Sequence, residues 1–239
     1  MAKRRIDTLL VERKLVESLE KAQALIMAGK LVVDGKTVTK PGALVREEAV
    51  IRLLESPPFA SRGGLKLSHA LDAFRLDVSS KIAVDVGAST GGFTDCLLKR
   101  GAARVYAIDV GYGQLDYRLR IDQRVVVMDR VNAHYPISLP EQVDIATIDV
   151  SFISPEKVIP NVARVLRQMG DLIVLFKPQF EVGKKQVGKG GIVKDPALHA
   201  QSLGHFICWA IEQGFRLCGL TPSPILGAEG NKEFFVWLR

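Results

Sequence analysis

The apolar residues of this chain fall into short, nearly continuous runs, and stretches with the spacing of amphipathic helices separate these runs. Continuous apolar runs of this length are typical of parallel strands that are buried on both faces of a sheet. Strands that alternate with helices predict an α/β fold, a doubly wound and mostly parallel sheet with helices on both faces. The predicted strands lie at residues 82–86, 104–109, 125–128, 143–149, 171–176, 215–220 and 233–238.

Residues 1–56 have a different pattern and are predicted to form a small α+β domain of their own. Two short amphipathic helices come first; Ser18 is the predicted N-cap of the second helix, and Gly29 is its predicted end. A hairpin follows at residues 31–38 with its turn at Asp34-Gly35, because Asp-Gly is a strong signal for a two-residue hairpin turn.

Two adjacent prolines mark the end of the small domain. Pro57 and Pro58 cannot continue a helix, and they favour an extended and rather stiff connection. We therefore predict a linker at residues 57–62 and a second, larger domain at residues 63–239.

Composition and charge limit the classes of protein to consider. The chain has 239 residues, of which 47% are hydrophobic, and no apolar run approaches the roughly 18 to 20 residues that cross a bilayer. The amino terminus has no signal-peptide core, and the three cysteines, Cys96, Cys208 and Cys218, do not have the spacing of metal ligands. We therefore expect a reduced, cytoplasmic protein without a bound metal. The net charge of +7 favours a polyanionic partner such as a nucleic acid.

Residues 83–95 contain the clearest candidate binding element. Apolar residues run into an acid and then into a loop rich in glycine, serine and threonine, and helix-forming sequence follows. A tight turn between a strand and a helix lets the backbone approach a nucleotide-like ligand, and its glycines tolerate positive φ. The candidate cofactor-binding residues of this element are Asp85, Gly87, Ser89, Thr90, Gly91, Gly92 and Phe93.

Two acids at the ends of the next predicted strands belong to the same candidate site. Asp109 ends the second strand of the larger domain, where an acid binds the ribose hydroxyls of either NAD or S-adenosylmethionine. Asp109 therefore does not distinguish these two cofactors. Asp129 ends the third strand and either accepts a hydrogen bond from an adenine amino group or serves as a helix cap or loop acid.

Charged residues follow the fourth and fifth strands of the larger domain. Asp149 ends the fourth strand, and Lys177 comes directly after the fifth. Since ligands of open α/β sheets bind at the carboxyl ends of the strands, both side chains are expected at a substrate site. Lysine is seldom buried without a partner, so a role in the site explains Lys177 better than a chance surface position does.

Five segments together resemble the TlyA family of ribosomal RNA methyltransferases, whose members are also described as haemolysins. They are residues 85–95, Asp149-Val150-Ser151-Phe152, Lys177-Pro178-Gln179-Phe180-Glu181, 61–67 and 230–235. The resemblance covers essentially the whole chain in order. It implies a Rossmann-like, FtsJ-like methyltransferase domain that binds S-adenosyl-L-methionine, preceded by an alpha-L RNA-binding domain of the ribosomal-protein type. It also implies methylation of a ribose 2′-hydroxyl in ribosomal RNA, at a cytidine.

In the FtsJ-like fold, ribose methylation uses a lysine–aspartate–lysine–glutamate tetrad. Carried over to this sequence, the tetrad is Lys66, Asp149, Lys177 and Glu233. Glu229 lies near Glu233, but the context Gly-Asn-x-Glu-Phe favours Glu233. In this role Lys177 would stabilise the developing alkoxide and Asp149 would hold that lysine, while the other two residues would complete a cage around the ribose.

Basic residues of the small domain and of two later segments are the candidate RNA contacts, since lysine and arginine neutralise phosphates. The loop at residues 183–194 is rich in lysine and glycine, and is either a mobile basic flap over RNA or a solvated loop. Leu19 departs from the alpha-L pattern, because arginine usually follows the capping serine there. The candidates are Arg4, Arg5, Arg13, Lys14, Lys21, Lys30, Arg62, Lys184, Lys185 and Lys189.

Two alternatives from other functional classes stay open at this point. A membrane-acting cytolysin would agree with the haemolysin description, but the chain shows no signal peptide, spanning segment or strongly basic amphipathic helix. A non-catalytic RNA-binding factor for ribosome assembly would keep the cofactor pocket and would not need Lys177.

Overall fold

The structure, a computed structural model, describes residues 3–54, 58–183 and 186–239. The chain divides into two compact units, Met1–Pro57 and Pro58–Arg239. The elements of the small unit are β1 (Lys3–Arg5), α1 (Ile6–Glu12), α2 (Leu19–Met27), β2 (Leu31–Val33), β3 (Lys36–Val38), β4 (Leu44–Arg46) and β5 (Ile51–Leu53).

The two helices and the hairpin predicted for the small unit are confirmed. The Ser18 hydroxyl accepts a hydrogen bond from the Lys21 N–H at 3.2 Å, as expected of an N-cap. Gly29 follows α2 with φ +68°, the left-handed conformation that commonly ends a helix. Asp34 and Gly35 form the turn between β2 and β3, and both have positive φ.

Three further strands of the small unit were not predicted. β1 pairs antiparallel with β4, and β5 pairs with β2, which lies at the centre of a three-stranded sheet. Each of these strands has three residues, too few to show an alternating pattern, so the pairing partner decides their conformation. The helices and the central strand share a hydrophobic core that contains Ile6, Leu10, Ala22, Ile26 and Leu31.

The elements of the larger unit are α3 (Arg62–Phe74), β6 (Ile82–Val86), α4 (Gly92–Lys99), β7 (Arg104–Asp109), α5 (Tyr117–Arg120), β8 (Val125–Asp129), β9 (Val143–Ile148), α6 (Ile159–Ala163), β10 (Leu166–Phe176), α7 (Pro196–Glu212), β11 (Leu217–Pro222) and β12 (Phe234–Leu238). They form a seven-stranded sheet with the order β11-β12-β10-β9-β6-β7-β8. β12 runs antiparallel to both of its neighbours, whereas the pairs from β10 to β8 are parallel. The predicted doubly wound, mostly parallel sheet is confirmed.

Two hydrophobic clusters fill the space between the sheet and its helices. One cluster lies under α3, α4 and α5 and includes Leu67, Leu97 and Leu119. The other lies under α6 and α7 and includes Val162 and Phe206. None of the helices in the described part of the chain is long and apolar enough to cross a membrane.

The clearest departure from the predicted strands is β10, which begins at Leu166 instead of residue 171. Its register with β9 shifts between Leu166 and Asp171, and Met169 within this stretch has φ +63°. The exposed residues of this irregular stretch hide the strand from a search for apolar runs. The other six predicted strands agree with the observed ones to within about two residues at each end.

β6 lies inside the sheet, between β9 and β7, and the chain reverses its direction of strand addition there. From β6 the chain adds β7 and β8 on one side and then crosses to add β9 on the other side. Such a reversal leaves a crevice at the carboxyl ends of the two diverging strands, which is the general ligand position of open α/β sheets.

Candidate active site

A cavity of about 380 Å³ lies at this crevice, at the carboxyl ends of β6, β9 and β10. The beginning of α3 and the loop between β6 and α4 form other parts of its wall. The four residues of the predicted tetrad, Lys66, Asp149, Lys177 and Glu233, all line this cavity. The fold thus brings together four charged side chains that are far apart in the sequence.

Lys177 directly follows β10, and only 10% of its side chain is exposed. Its Nζ lies 2.6 Å from Asp149 Oδ1 and donates a hydrogen bond to Ser151 Oγ at 3.0 Å. The centre of the Phe180 ring lies 6.0 Å from the same nitrogen. Because a nearly buried ammonium group requires such partners, these contacts determine where it lies at the cavity wall.

Lys66 and Glu233 form a second ion pair in the same cavity. Lys66 lies in α3, Glu233 immediately precedes β12, and Lys66 Nζ is 2.5 Å from Glu233 Oε2. Their side chains are 11% and 3% exposed. Glu229, the other glutamate considered from the sequence, is exposed and is not part of the cavity lining. The structure therefore places Glu233 rather than Glu229 beside the other three charged residues.

Two glycines of the loop after β6 allow the walls of the cavity to meet. Gly87 has φ +86°, and a Cβ at this position would lie 2.3 Å from the carbonyl oxygen of Asp149. A Cβ at Gly92 would lie 2.2 Å from Ser61 Oγ and 2.9 Å from the backbone nitrogen of Gly64. These close contacts hold the Asp149 segment and the beginning of α3 against the loop, and larger residues would push them apart.

A second cavity of about 390 Å³ adjoins the first and extends to the carboxyl end of β7. The residues that line both cavities are Gly87, Ser89, Asp149 and Ser151. Asp109 lines the second cavity, where its Oδ2 accepts a hydrogen bond from the Ser89 N–H at 2.8 Å and its Oδ1 accepts one from the Gly111 N–H at 2.7 Å. Each carboxylate oxygen can accept more than one hydrogen bond, so Asp109 can still bind ribose hydroxyls.

Several residues that line the second cavity were not predicted from the sequence to belong to the site. Ile108, Val131 and Ala133 supply apolar surface, and Gln114 and Asn132 supply polar groups. Residues 131–133 follow the end of β8, so the rule that ligand-binding loops follow strand ends could have found them. Gln114 lies five residues after the end of β7, and no sequence pattern marks it as part of a ligand site.

The other residues predicted to bind a cofactor divide into two groups. Thr90, Gly92 and Phe93 line the first cavity, together with the shared Gly87 and Ser89. The structure does not bring Asp85, Gly91 or Asp129 into the lining of either cavity. Gly91 is the N-cap residue of α4, with φ +92°.

Asp85 lies beneath the loop and is fully buried. Its Oδ2 accepts a hydrogen bond from the Thr94 hydroxyl at 2.7 Å, and its Oδ1 accepts one from the Thr147 hydroxyl at 3.0 Å. Burial raises the pKa of Asp85 to about 7, since it disfavours the charged form. Asp85 thus links β6 to α4 and β9 and supports the cavity from below.

Asp129 is engaged elsewhere at the end of β8. Its Oδ2 accepts hydrogen bonds from the Arg120 guanidinium at 3.0 Å and from the Gly113 N–H at 3.3 Å. The hydrogen bond from Arg120 lowers the pKa of Asp129 below its ordinary value. These contacts favour a structural role of Asp129 as a loop acid over a hydrogen bond to an adenine amino group.

The candidate RNA-binding residues of the small unit differ in their contacts. Arg4, Arg5 and Lys21 each form an ion pair with an acidic residue of the same unit, and about half of each side chain stays exposed. Arg13 instead donates hydrogen bonds to two backbone carbonyl oxygens of residues 47–49. Arg13 therefore also stabilises the loop before β5.

The remaining candidates are spread over both units. Lys14 is exposed and has φ +56°, and Lys30 is half-buried. Arg62 lines the first cavity, and Lys189 is exposed in the loop that follows β10. Lys184 and Lys185 lie outside the described residues.

These features define a class of protein. The sheet is doubly wound and has an antiparallel strand near one edge, a glycine-containing loop follows β6, and an acid ends β7. This arrangement is expected of a Rossmann-like methyltransferase. Residues 59–239 match the model of the FtsJ-like methyltransferase family, and residues 4–51 match the model of the S4 domain. The chain belongs to the FtsJ-like methyltransferase family, and an S4 domain precedes its methyltransferase domain.

Individual relatives agree with this assignment. The chain is 46% identical over 244 residues to the 16S/23S rRNA (cytidine-2′-O)-methyltransferase TlyA of Mycobacterium tuberculosis, an alignment that covers 100% of this chain and 91% of the relative. It is 41% identical to Hemolysin A of Brachyspira hyodysenteriae, with 97% and 98% of the two chains covered. A solved structure described as a hemolysin from Streptococcus thermophilus is 42% identical, has a TM-score of 0.75 and covers 100% of this chain and 88% of that chain. The predicted resemblance to the TlyA family is confirmed.

Proposed function

We propose that this protein transfers a methyl group from S-adenosyl-L-methionine to the 2′-hydroxyl of a cytidine in ribosomal RNA. The observation that carries the proposal is the meeting of Lys66, Asp149, Lys177 and Glu233 at one cavity, next to a second cavity that contains Asp109. The similarity to the TlyA methyltransferase of Mycobacterium tuberculosis supports the choice of substrate and nucleotide.

The second cavity has the size and lining expected for the nucleoside part of this cofactor. Its volume is about 390 Å³, Ile108 and Val131 supply apolar surface for a base, and Asp109 supplies a carboxylate for the ribose hydroxyls. Ser89 and Gly87 lie at the junction with the first cavity, where the amino-acid part would be held. When bound, S-adenosylmethionine supplies an electrophilic methyl group on a sulfonium.

The first cavity has side chains suited to activate a ribose hydroxyl, which is a weak nucleophile at neutral pH. The Lys177 ammonium, held by Asp149, would donate a hydrogen bond to the hydroxyl oxygen and stabilise the negative charge that develops on it. The hydroxyl oxygen would bond to the methyl carbon as the methyl–sulfur bond breaks, and the hydroxyl proton would be released to solvent. The nearly buried pair of Lys66 and Glu233 carries no net charge, so it would orient the ribose without opposing that charge.

The S4 domain and the exposed basic residues would hold the RNA. We assign phosphate contacts to Arg4, Arg5, Lys14 and Lys21, whose side chains are exposed, and to Arg62 at the rim of the first cavity. The net charge of +7 favours such a polyanionic partner. A ribosomal RNA substrate would place the activity in the cytoplasm.

Methyl transfer from labelled S-adenosylmethionine to undermodified 30S and 50S ribosomal subunits tests the proposal. The modified nucleotide is mapped by the resistance of its adjacent linkage to alkaline cleavage. We expect incorporation at one protected cytidine and a loss of at least about a hundredfold in rate for Lys177→Ala. Lys81→Ala is the matched control, because Lys81 Nζ pairs with Asp171 Oδ2 at 3.0 Å at the opposite end of the sheet.

Two outcomes would contradict the proposal. The first is a wild-type protein that binds S-adenosylmethionine but transfers methyl to neither subunit. The second is a Lys177→Ala variant that retains the full rate of the Lys81→Ala control. If Lys177→Ala also restored ribosome assembly in cells that lack the protein, a non-catalytic assembly factor would explain the chain better.

A further inference from the structure

Ser151 lies at the junction of the two cavities. It follows Asp149 by two residues, and it lines both the cavity with the four charged residues and the cavity with Asp109. It does not belong to the lysine–aspartate–lysine–glutamate set, yet its hydroxyl accepts a hydrogen bond from the Lys177 ammonium at 3.0 Å. Ser151 is therefore the second polar side chain that contacts Lys177.

Because of the geometry of an ammonium group, the contact with Ser151 determines how the Lys177 ammonium is oriented. Lysine has three N–H donors in a tetrahedral arrangement, and its long side chain has many rotamers. One donor of Lys177 points to Asp149 Oδ1 at 2.6 Å and a second to Ser151 Oγ at 3.0 Å. Two such contacts determine the direction of the third N–H, whereas one contact alone would leave the group free to rotate.

We propose that Ser151 is a positioning residue, whose hydroxyl orients Lys177 so that its third N–H faces the ribose hydroxyl of the substrate. This inference rests on the proposed function. Asp149 neutralises the charge of Lys177, and Ser151 supplies the direction, which a single carboxylate contact does not. The ring centre of Phe180 lies 6.0 Å from Nζ, at the outer limit of a cation–π contact.

The test compares Ser151→Ala and Ser151→Thr, because alanine removes the acceptor and threonine keeps it. Ser151 is exposed, so the additional methyl group of threonine has space. Binding of S-adenosylmethionine is measured by isothermal titration calorimetry, and kcat and KM are measured on undermodified ribosomal subunits. A hydrogen bond to a charged group predicts that Ser151→Ala lowers kcat by about tenfold to a hundredfold, which is a larger factor than its effect on cofactor affinity or on KM. Ser151→Thr should restore kcat to within about threefold of the wild type.

Ser154→Ala is the matched control, since Ser154 lies in the same loop and its hydroxyl donates to Glu181 Oε2 at 2.8 Å instead of contacting Lys177. We expect its kcat to fall far less than that of Ser151→Ala. Three outcomes would overturn the inference, provided that the wild type methylates the RNA. They are an unchanged kcat in Ser151→Ala, an equal loss of kcat in Ser154→Ala, and a Ser151→Thr variant that is as slow as Ser151→Ala. A wild type that methylates no subunit would overturn the proposed function and this inference with it.

Discussion

Substitution of Asp85 by asparagine should change how the stability of the larger unit depends on pH. Burial raises the pKa of this carboxyl from an ordinary value of 3.8 to about 7. The unfolded chain therefore releases the proton near pH 3.8, and the folded protein releases it near pH 7. Between these values the unfolded state binds fewer protons, so the folded wild type loses stability as the pH rises.

The size of the effect follows from the difference between the two pKa values. At 1.36 kcal/mol per unit, a difference of about three units corresponds to about 4 kcal/mol. Asparagine has no charge, and it can accept a hydrogen bond from one threonine and donate one to the other, because the Thr94 and Thr147 hydroxyls can do both. The stability of Asp85→Asn relative to the wild type should therefore increase by about 4 kcal/mol from about pH 4 to about pH 7 and then stay constant.

Urea denaturation at a series of pH values measures this difference. Tryptophan fluorescence reports on the larger unit alone, because both tryptophans of the chain, Trp209 and Trp237, lie in it. Asp129→Asn serves as a control of opposite sign: the Arg120 hydrogen bond lowers the pKa of Asp129, so its contribution to stability is lost as the pH falls. Parallel pH profiles for the wild type and Asp85→Asn would refute the reasoning.

Three further predictions concern the ion pair, the cofactor and the RNA. Lys66→Met and Glu233→Gln each leave one nearly buried charge without its partner, so each should destabilise the larger unit by about 3 kcal/mol in urea denaturation, and the double variant by less than the sum. Asp109→Asn should weaken the binding of S-adenosylmethionine at least about tenfold in calorimetry, because this carboxylate lines the second cavity, whereas Asp129→Asn should change it by less than about threefold. Lys14→Ala should weaken binding to ribosomal RNA and reduce the slope of log affinity against log salt by about 0.7 to 0.9, since one phosphate contact is lost.

Each of these has an outcome that would contradict it. Additive losses in the double variant would mean that Lys66 and Glu233 do not stabilise each other. Equal losses of cofactor affinity for Asp109→Asn and Asp129→Asn would contradict the placement of the ribose. Lys157 is an exposed lysine of the larger unit. If the slope of log affinity against log salt is the same for Lys14→Ala and Lys157→Ala, Lys14 does not contact the RNA.

The candidate site was predictable where its residues follow strand ends. Asp149 and Lys177 each come after a run of apolar residues, and the carboxyl ends of parallel strands meet at one edge of a sheet. Lys66 and Glu233 have no such signal: Lys66 lies in a helix that begins with Arg-Gly-Gly, and Glu233 follows a loop that contains a second glutamate. Their positions in the motif came from family resemblance alone.

Two other features were not predictable because they depend on three-dimensional contacts. The three-residue strands β1, β4 and β5 form only beside a partner, since isolated strands of this length gain too little from their own hydrogen bonds. Asp85 lies in β6 and Asp129 ends β8, and residues that follow both strands line the second cavity. Yet the Asp85 carboxylate accepts hydrogen bonds from Thr94 and Thr147, and the Asp129 carboxylate accepts one from Arg120.

The sequence by itself determined the α/β class of the fold, because apolar runs of strand length that alternate with helices bury their side chains in a parallel sheet covered by helices. It also determined which edge of that sheet would carry the polar groups. Only the tertiary structure decided which charges meet. The contacts of Lys177 with Asp149 and Ser151, and of Lys66 with Glu233, require segments distant in the chain to pack closely at Gly87 and Gly92, and no local pattern shows such packing.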